Sequence, residues 1–277
     1  MTFGGIYMKK IILSVVAIAI VAAGFIFFSR QQEEKKVVLG VSGQSAGMTK
    51  YVEQALKEKG YKLELSVAES TIASNEGLMD GSVDVNIMQH EAYMNQFNKD
   101  RGASLVKAGK PLFEQFIGVY SRKHKSLDEL PDGAKVAIQN DASNIQRALR
   151  VLEQAKLIEV KQDIPKGETL TPLDVTSNPH NLEFVELGGG TLIESLDEVD
   201  IAIFSGLAAH KAGFKTEDAL YKFEPKDLKA NALILATKDG NQDKEAVKII
   251  HDAFETKESA ELVKEVSGGT WFPYTGD

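Results

Sequence analysis

The chain of 277 residues contains no cysteine, and it is poor in histidine, with 5, and in tryptophan, with 1. The absence of cysteine excludes disulfide bonds, iron–sulfur clusters, thiolate-bound zinc and cysteine nucleophiles. It also excludes a lipid attached through an N-terminal cysteine. The histidines are scattered, and their spacing supports neither a metal site on a helix nor a Ser-His-Asp triad. We predict a protein that is not an enzyme and that has no cofactor, while a structural metal site stays open without support from the sequence.

Basic residues are scarce beyond the first thirty positions. Residues 1–30 hold three basic residues and no acidic residue, whereas residues 31–277 hold 29 Lys and Arg against 40 Asp and Glu. Nucleic-acid binding depends on basic side chains that neutralise phosphates, so this acidic part excludes a nucleic-acid partner.

One long apolar run lies near the N-terminus. It extends from Ile11 to Phe28, follows Lys9 and Lys10, and as a helix would rise about 27 Å, close to the thickness of a bilayer core. We predict that residues 1–30 are a signal or membrane anchor, that 31–36 are a linker, and that the rest lies on the extracytoplasmic side of the cell membrane. Cleavage after Ala23 would leave an apolar new terminus, which favours retention of the segment. Cleavage and a true start at Met8 stay open.

Apolar runs alternate with helical patterns along the remaining sequence, which is typical of parallel α/β sheets. Strands are predicted at 37–41, 61–67, 83–88, 116–120, 135–139, 182–187, 200–204 and 232–236. Helices are predicted at 48–59, near 74–80, at 144–157, around 192–197, at 244–255 and at 259–266. The pattern predicts two lobes, residues 37–118 with 232–277 and residues 119–231, with a ligand cleft between them.

Three segments could contribute to a ligand site. Met88, His90 and Tyr93 follow a predicted strand, at the edge where open α/β sheets bind ligands, although Met88 could equally belong to the core. Arg147 lies off the apolar face of its helix and could face solvent or bind a carboxylate through both of its terminal nitrogens. The Gly43–Gly47 loop could bind an anion through its backbone or form only a tight turn.

Four stretches carry a resemblance to a known family. They are Asp84–Tyr93, with the pattern Asp-x-Asn-x-x-Gln-His-x-x-Tyr, then Tyr120–Gly133, Asn140–Leu149, with Asn-Asp-x-x-Asn-x-x-Arg-Ala-Leu, and Asn178–Leu187. With them the chain resembles the NlpA-type methionine-binding proteins, the substrate-binding components of methionine ABC importers. The resemblance implies a two-lobed α/β fold of the type II periplasmic-binding-protein class. It also implies a small-molecule amino-acid ligand and an ABC permease and ATPase complex as partners.

The resemblance further implies the identity of the ligand-binding residues. His90 and Tyr93 would lie beside the amino acid, and Arg147 would hold its carboxylate. The family usually has tyrosine at the position of Thr71, an aromatic residue at Met88 and asparagine at Ser205. Asn231 corresponds to a second asparagine. The candidate ligand-binding residues are therefore Thr71, Met88, His90, Tyr93, Arg147, Ser205 and Asn231.

The substitutions at these positions affect the expected ligand and role. A reduced stacking surface leaves open methionine, another small amino acid or a short peptide as the ligand. The alternative function is a binder of the same fold with a surface, adhesion or enzymatic role. Ala22-Ala23-Gly24-Phe25 resembles a lipobox in which Phe25 replaces the lipidated cysteine, so the apolar run would anchor the protein instead.

Overall fold

The computed structural model describes residues 35–165, 168–223 and 232–276. The predicted anchor and most of the predicted linker, at 1–34, lie outside these residues, as does Asn231. No helix within the three described ranges has the length and apolar character needed to cross a membrane.

Two sheets with the same internal arrangement organise the molecule. The first has the strand order β13-β4-β12-β3-β1-β2 and the second has β11-β5-β10-β6-β9. In chain order the strands are β1 Lys35–Ser42, β2 Tyr61–Ala68, β3 Val85–His90, β4 Leu105–Gln115, β5 Ile117–Tyr120, β6 Lys135–Gln139, β7 Glu159–Val160, β8 Val175–Ser177, β9 Glu183–Leu187, β10 Ile201–Ser205, β11 Tyr221–Lys222, β12 Leu233–Lys238 and β13 Trp271–Pro273. β7 and β8 form a small separate sheet.

Each sheet pairs three parallel strands with an antiparallel neighbour. In the first, β2, β1 and β3 are parallel and β12 runs against β3. In the second, β9, β6 and β10 are parallel and β5 runs against β10. The chain passes from the first sheet to the second between β4 and β5 and has returned by β12. The predicted two-lobed α/β fold is confirmed.

Helices cover both faces of each sheet. They are α1 Lys50–Glu58, α2 Thr71–Asp80, α3 Glu91–Arg101, α4 Ala142–Gln154, α5 Gly206–Lys211, α6 Glu245–Phe254 and α7 Lys257–Val266. Leu39, Leu56 and Ile250 belong to the core on one face of the first sheet, and Leu78 and Phe97 belong to the core on the other. The second sheet likewise has one core that includes helix α4 and another that includes α5.

Several elements differ from the sequence-based predictions, which did not include helices α3 and α5 or strands β4, β7, β8, β11 and β13. The helix predicted around 192–197 is only a 3-10 turn, Glu194–Asp197, beside turn residues. Strand β4 was not predicted, because Gly109-Lys110-Pro111 interrupts its apolar pattern. Gly109 has a φ of 74°, and the pairing register shifts between Leu233 and Leu235 on the neighbouring strand β12. Because of this irregularity, residues whose sequence is typical of a turn form part of one continuous strand.

Candidate ligand-binding site

A cavity of about 660 Å³ lies where the strands of both sheets end. In parallel α/β sheets the carboxyl ends of the strands meet at one edge, and the loops that follow form the binding crevice. The cavity walls include β3 from the first sheet and β10 from the second, together with the helices that follow these two strands. The cavity volume lies within the range of small-molecule sites in proteins.

Six of the seven predicted site residues line this one cavity. They are Thr71, Met88, His90 and Tyr93 on the side of the first sheet, and Arg147 and Ser205 on the side of the second. Asn231 lies outside the described residues. The structure therefore brings together residues that are up to 134 positions apart in the sequence, from Thr71 to Ser205.

Four helices begin at the cavity. The side chains that cap them belong to Ser70 for α2, His90 for α3, Asp141 for α4 and Ser205 for α5, and all four residues line the cavity. A helix N-terminus carries a partial positive charge, so this arrangement favours an anionic group in the cavity.

His90 connects the cap of α3 to the opposite side of the cavity. Its Nδ1 accepts a hydrogen bond from the backbone N–H of Tyr93 at 3.2 Å. The proton of the neutral ring is therefore on Nε2, which lies 3.4 Å from Oδ1 of Asn144 on helix α4. Burial, and secondarily the charge of Arg147, lowers the pKa of His90 to about 3. At neutral pH the ring is an uncharged donor across the cavity.

Asn144 is the centre of a short polar chain on α4. Its Oδ1 also accepts from Nη2 of Arg147, and its Nδ2 donates to Oδ2 of Asp141 at 2.7 Å. The other carboxylate oxygen of Asp141 accepts from the backbone N–H of Asn144 at 3.0 Å and so caps the helix. These contacts hold the guanidinium in one orientation.

Arg147 retains one unused donor. Its Nη1 is buried, and no described residue accepts a hydrogen bond from it. Burial lowers the pKa of Arg147 to about 10, an effect that the nearby carboxylate of Asp141 opposes, so the side chain is still charged at pH 7. A buried cation without a full set of partners is costly, and a carboxylate is the ligand group that matches it best. Of the two alternatives that the sequence leaves open for Arg147, the structure favours the second, because the half-buried side chain lines the cavity.

The other predicted residues make fewer polar contacts. Thr71 donates from Oγ1 to the carbonyl oxygen of Met88 at 3.3 Å. Ser205 accepts from the backbone N–H of Ala208 at 3.4 Å. Tyr93 lies edge-on to His90, with ring centroids 6.3 Å apart, and burial raises its pKa to about 12. The Tyr93 hydroxyl is therefore protonated at neutral pH.

The lowered pKa of His90 predicts that the free energy of unfolding depends on pH. The unfolded chain protonates this histidine near pH 6.5, whereas the folded state does so only near pH 3. Between these values the unfolded state binds more protons, so the folded state loses stability as pH falls. When the pH falls from 7 to 4.5, protonation of His90 in the unfolded chain should lower the free energy of unfolding by about 2 kcal/mol.

Urea unfolding of wild-type protein and the His90→Gln variant at the two pH values measures this effect. The variant should be clearly less sensitive to acid than wild type. His180→Gln, at an exposed position, is the control and should behave as wild type. An unaltered pH dependence in His90→Gln would show that the ring is not held neutral by the fold.

A buried amide network beside the cavity was missed by sequence reasoning. Asn75 Nδ2 donates to Gln89 Oε1 at 2.9 Å, and its Oδ1 accepts from Gln89 Nε2 at 2.6 Å and from Asn86 Nδ2 at 2.9 Å. Asn86 also donates to Ser74 at 3.0 Å. All four side chains are almost fully buried. Asn86 and Gln89 stand in the motif that ends at Tyr93, which is the one signal that could have identified them.

Two aromatic residues also line the cavity without having been predicted. Phe204 stacks on Tyr120, with ring centroids 4.6 Å apart, and Trp271 stacks on Phe113 at 6.1 Å. Together with Tyr93 they give the cavity three aromatic side chains. Phe204 is 3% exposed and Trp271 5%, so these two rings belong mainly to the cores behind the cavity wall.

Ser45 lies in a Gly-x-Ser-x-Gly sequence, Gly43–Gly47, which is the pattern of a hydrolase nucleophile. The serine is 2% exposed, and its Oγ lies 2.9 Å from the hydroxyl of Ser42. None of its hydrogen-bond partners within the described ranges is a histidine. This serine therefore stabilises the turn after β1 and is not placed as a nucleophile.

One cluster has potential metal ligands within the described part of the chain. Ligand atoms of His251, Asp252 and Glu255 lie within 4.8 Å of one another. The ammonium of Lys110 lies 2.7 Å from Glu255, and His251 Nε2 lies 3.0 Å from the carbonyl oxygen of Lys110. A lysine thus already neutralises the carboxylate that a cation would need.

Comparison with known proteins places the chain among binding proteins of this architecture. It is 37% identical to the D-methionine-binding lipoprotein MetQ of Salmonella typhimurium over 84% of each chain. The crystal structure of the methionine-binding protein MetQ matches with a TM-score of 0.80 and 32% identity over 87% of this chain and 99% of that chain. A periplasmic substrate-binding protein of an ABC transporter from Coxiella burnetii matches with a TM-score of 0.79 and 32% identity, over 87% of this chain and 100% of that one.

The family description "NlpA lipoprotein" matches residues 37–275, which include all the described residues except three. The match therefore covers both sheets, the cavity between them and every described site residue. The chain belongs to the NlpA lipoprotein family.

Proposed function

We propose that this chain is the substrate-binding protein of an ABC importer and that it binds methionine or a closely related amino acid in the cavity. The observation that carries the proposal is the buried, unpaired Nη1 of Arg147 at a cavity surrounded by four helix N-termini. The names of the relatives, a D-methionine-binding lipoprotein and a methionine-binding protein, supply the ligand class.

The ligand carboxylate would take the free donor of Arg147. Asn144 fixes the guanidinium, and Asp141 in turn fixes Asn144, so the donor is held in place before binding. Such preorganisation lowers the entropy lost when the ligand is bound. His90 and Tyr93 would contact the same molecule from the first lobe, and Ser205 from the second. We place Asn231 in the site as well, on the family resemblance alone.

Closing of the lobes would follow from these contacts. A ligand that touches both lobes binds the closed state more tightly and shifts the population toward it. The proposed lobes are residues 37–118 with 232–277 and residues 119–231. Strand β12 begins at Leu233, which supports the return to the first lobe at 232, whereas β5 begins at Ile117 in the second sheet, so the chain crosses slightly before the proposed boundary at 118.

The apolar part of the cavity would take the ligand side chain. Thr71 and Met88 offer less stacking surface than two aromatic residues, and Tyr93, Phe204 and Trp271 are the aromatic residues of the cavity wall. A thioether or another unbranched apolar side chain suits such a lining. The relatives in the comparison are binding proteins, and Ser45 lacks the arrangement of a nucleophile, so an enzymatic role is not proposed.

The partners would be the permease and ATPase of the importer. We also propose that the protein is exported and held at the membrane by Ile11–Phe28, since the chain has no cysteine to carry a lipid. Mass determination of the protein retained on alkali-washed membranes tests this. A retained chain that lacks residues 11–28 would contradict the anchor.

Calorimetric titration of the full chain with an amino-acid panel tests the proposed function. We expect one methionine per chain with a Kd in the micromolar range or below, and much weaker binding of methioninamide, which lacks the carboxylate. Equal affinity for methionine and methioninamide would contradict the role of the carboxylate. If no amino acid of the panel gave a heat of binding, the result would contradict amino-acid binding.

A further inference from the structure

Trp271 has an unused hydrogen-bond donor at the cavity. This residue, the single tryptophan of the chain, begins strand β13 and lines the cavity. It is 5% exposed, and no described residue accepts from its indole Nε1–H. A buried indole usually finds a partner, because leaving a donor unpaired costs free energy.

The indole ring is held firmly in place. Trp271 pairs with Gln115 in the register of β13 and β4, and its backbone N–H donates to Ser267 Oγ at 3.0 Å. Its ring stacks on Phe113 with an interplanar angle of 28°. Because the strand pairing holds the backbone and Phe113 packs on the ring, the indole cannot readily turn its N–H toward bulk water, and a ligand in the cavity that Trp271 lines would supply the missing acceptor.

Two residues that line the cavity, one from each lobe, thus have a buried and unpaired N–H donor. Arg147 Nη1 belongs to α4 beside the second sheet, and Trp271 Nε1 belongs to the edge of the first. Neither group can accept a hydrogen bond, so each requires an acceptor on the ligand. A charged guanidinium prefers the carboxylate, which leaves the indole for a neutral acceptor elsewhere in the same molecule.

The surroundings of Trp271 indicate which part of the ligand it meets. Ile117, Leu207 and Leu233 line the cavity, and each is about 3% exposed. Leu207, Leu233 and Trp271 belong to one apolar core cluster. An apolar lining with a single N–H donor matches an apolar side chain that carries one weak acceptor, such as a thioether sulfur.

We propose that Trp271 donates its indole N–H to the side-chain acceptor of the bound amino acid, the thioether sulfur when the ligand is methionine. This inference rests on the proposed function. It assigns Trp271 a role in specificity, since norleucine has the same length but replaces the sulfur with a methylene group.

Calorimetry of wild type and Trp271→Phe with methionine and with norleucine tests the proposal. Phenylalanine retains an aromatic ring but has no N–H. We expect the preference for methionine over norleucine to fall about three- to tenfold in Trp271→Phe, the effect of one neutral hydrogen bond. Phe272→Leu, at the next residue and 41% exposed, is the matched control and should keep the wild-type preference.

A measurement on the unaltered protein makes the test independent of the variant's folding. Because the chain has one tryptophan, ¹⁵N-labelled protein gives one indole N–H resonance in NMR spectra. Methionine should move this resonance downfield, and norleucine should move it much less. Equal movement of the resonance with both ligands would contradict the role of Trp271, and so would an equal preference in wild type and folded Trp271→Phe. Either result would leave the proposed function intact. Wild type that binds neither ligand would contradict both the role of Trp271 and the proposed function.

Discussion

Replacing Arg147 by alanine is expected to weaken methionine binding by about a hundredfold. In the variant, the ligand carboxylate would lose a charged hydrogen bond inside a cavity that shields it from water. Such bonds contribute about 1.5–3 kcal/mol. Four helix N-termini would still favour the anion, but none replaces the fixed donor of the guanidinium. Calorimetric titration of the full-length variant with methionine measures the loss.

The matched control for this variant is Arg150→Ala. Arg150 lies one turn further along α4 and forms an ion pair with Glu153 at 2.7 Å, away from the cavity lining. Its loss should leave methionine affinity within about twofold. The ligand-free Arg147→Met variant should unfold at a temperature no lower than wild type, because it removes a buried charge with an unpaired N–H. Arg147→Ala with wild-type affinity would remove this residue from the site.

Replacing Asn75 by leucine is expected to lower the free energy of unfolding by about 3 kcal/mol or more. The change leaves Gln89 without two of its hydrogen bonds and Asn86 without one, in a region that water does not reach. Each buried polar group that loses its partner costs about 1–3 kcal/mol. Asn75 also lies behind strand β3, so methionine binding should weaken as the strand end shifts.

Urea unfolding monitored by circular dichroism measures this cost. Gln54→Leu is the control, because Gln54 is exposed on α1 and bonds only to Glu58 at 3.3 Å. It should change the free energy of unfolding by less than about 0.5 kcal/mol. A similar small change in Asn75→Leu would mean that the amide network does not stabilise the first lobe.

Much of the fold follows from local patterns in the sequence. The strands at 37–41, 61–67 and 135–139 lie within β1, β2 and β6, because buried parallel strands read as continuous or alternating apolar runs. Helix α4 begins two residues earlier than predicted, because Asp141 rather than a later residue provides the cap. β4 could not be predicted in this way, since its irregular segment is held by pairing with β12, more than a hundred residues away.

Site residues that directly follow a predicted strand or begin a predicted helix could be identified from the sequence. Site residues that reach the cavity through pairing of strands far apart in the sequence could not. His90 and Arg147 could be proposed from spacing and family resemblance, and the structure places both at the cavity. Trp271 reaches the cavity only because β13 pairs with β4, which no local pattern reveals. Asn75 and Asn86 resemble surface residues in the sequence, and only their mutual hydrogen bonds explain their burial.

We expect the cavity to bind an intact free amino acid through its carboxylate. Mass spectrometry of small molecules released by denaturing the purified full chain tests it most directly, because a preorganised site retains its ligand through purification. We expect chemically unaltered methionine, or a close analogue with a free carboxylate, at about one molecule per chain in wild type and its loss in Arg147→Ala. A processed product, or the same molecule retained equally by both proteins, would contradict it.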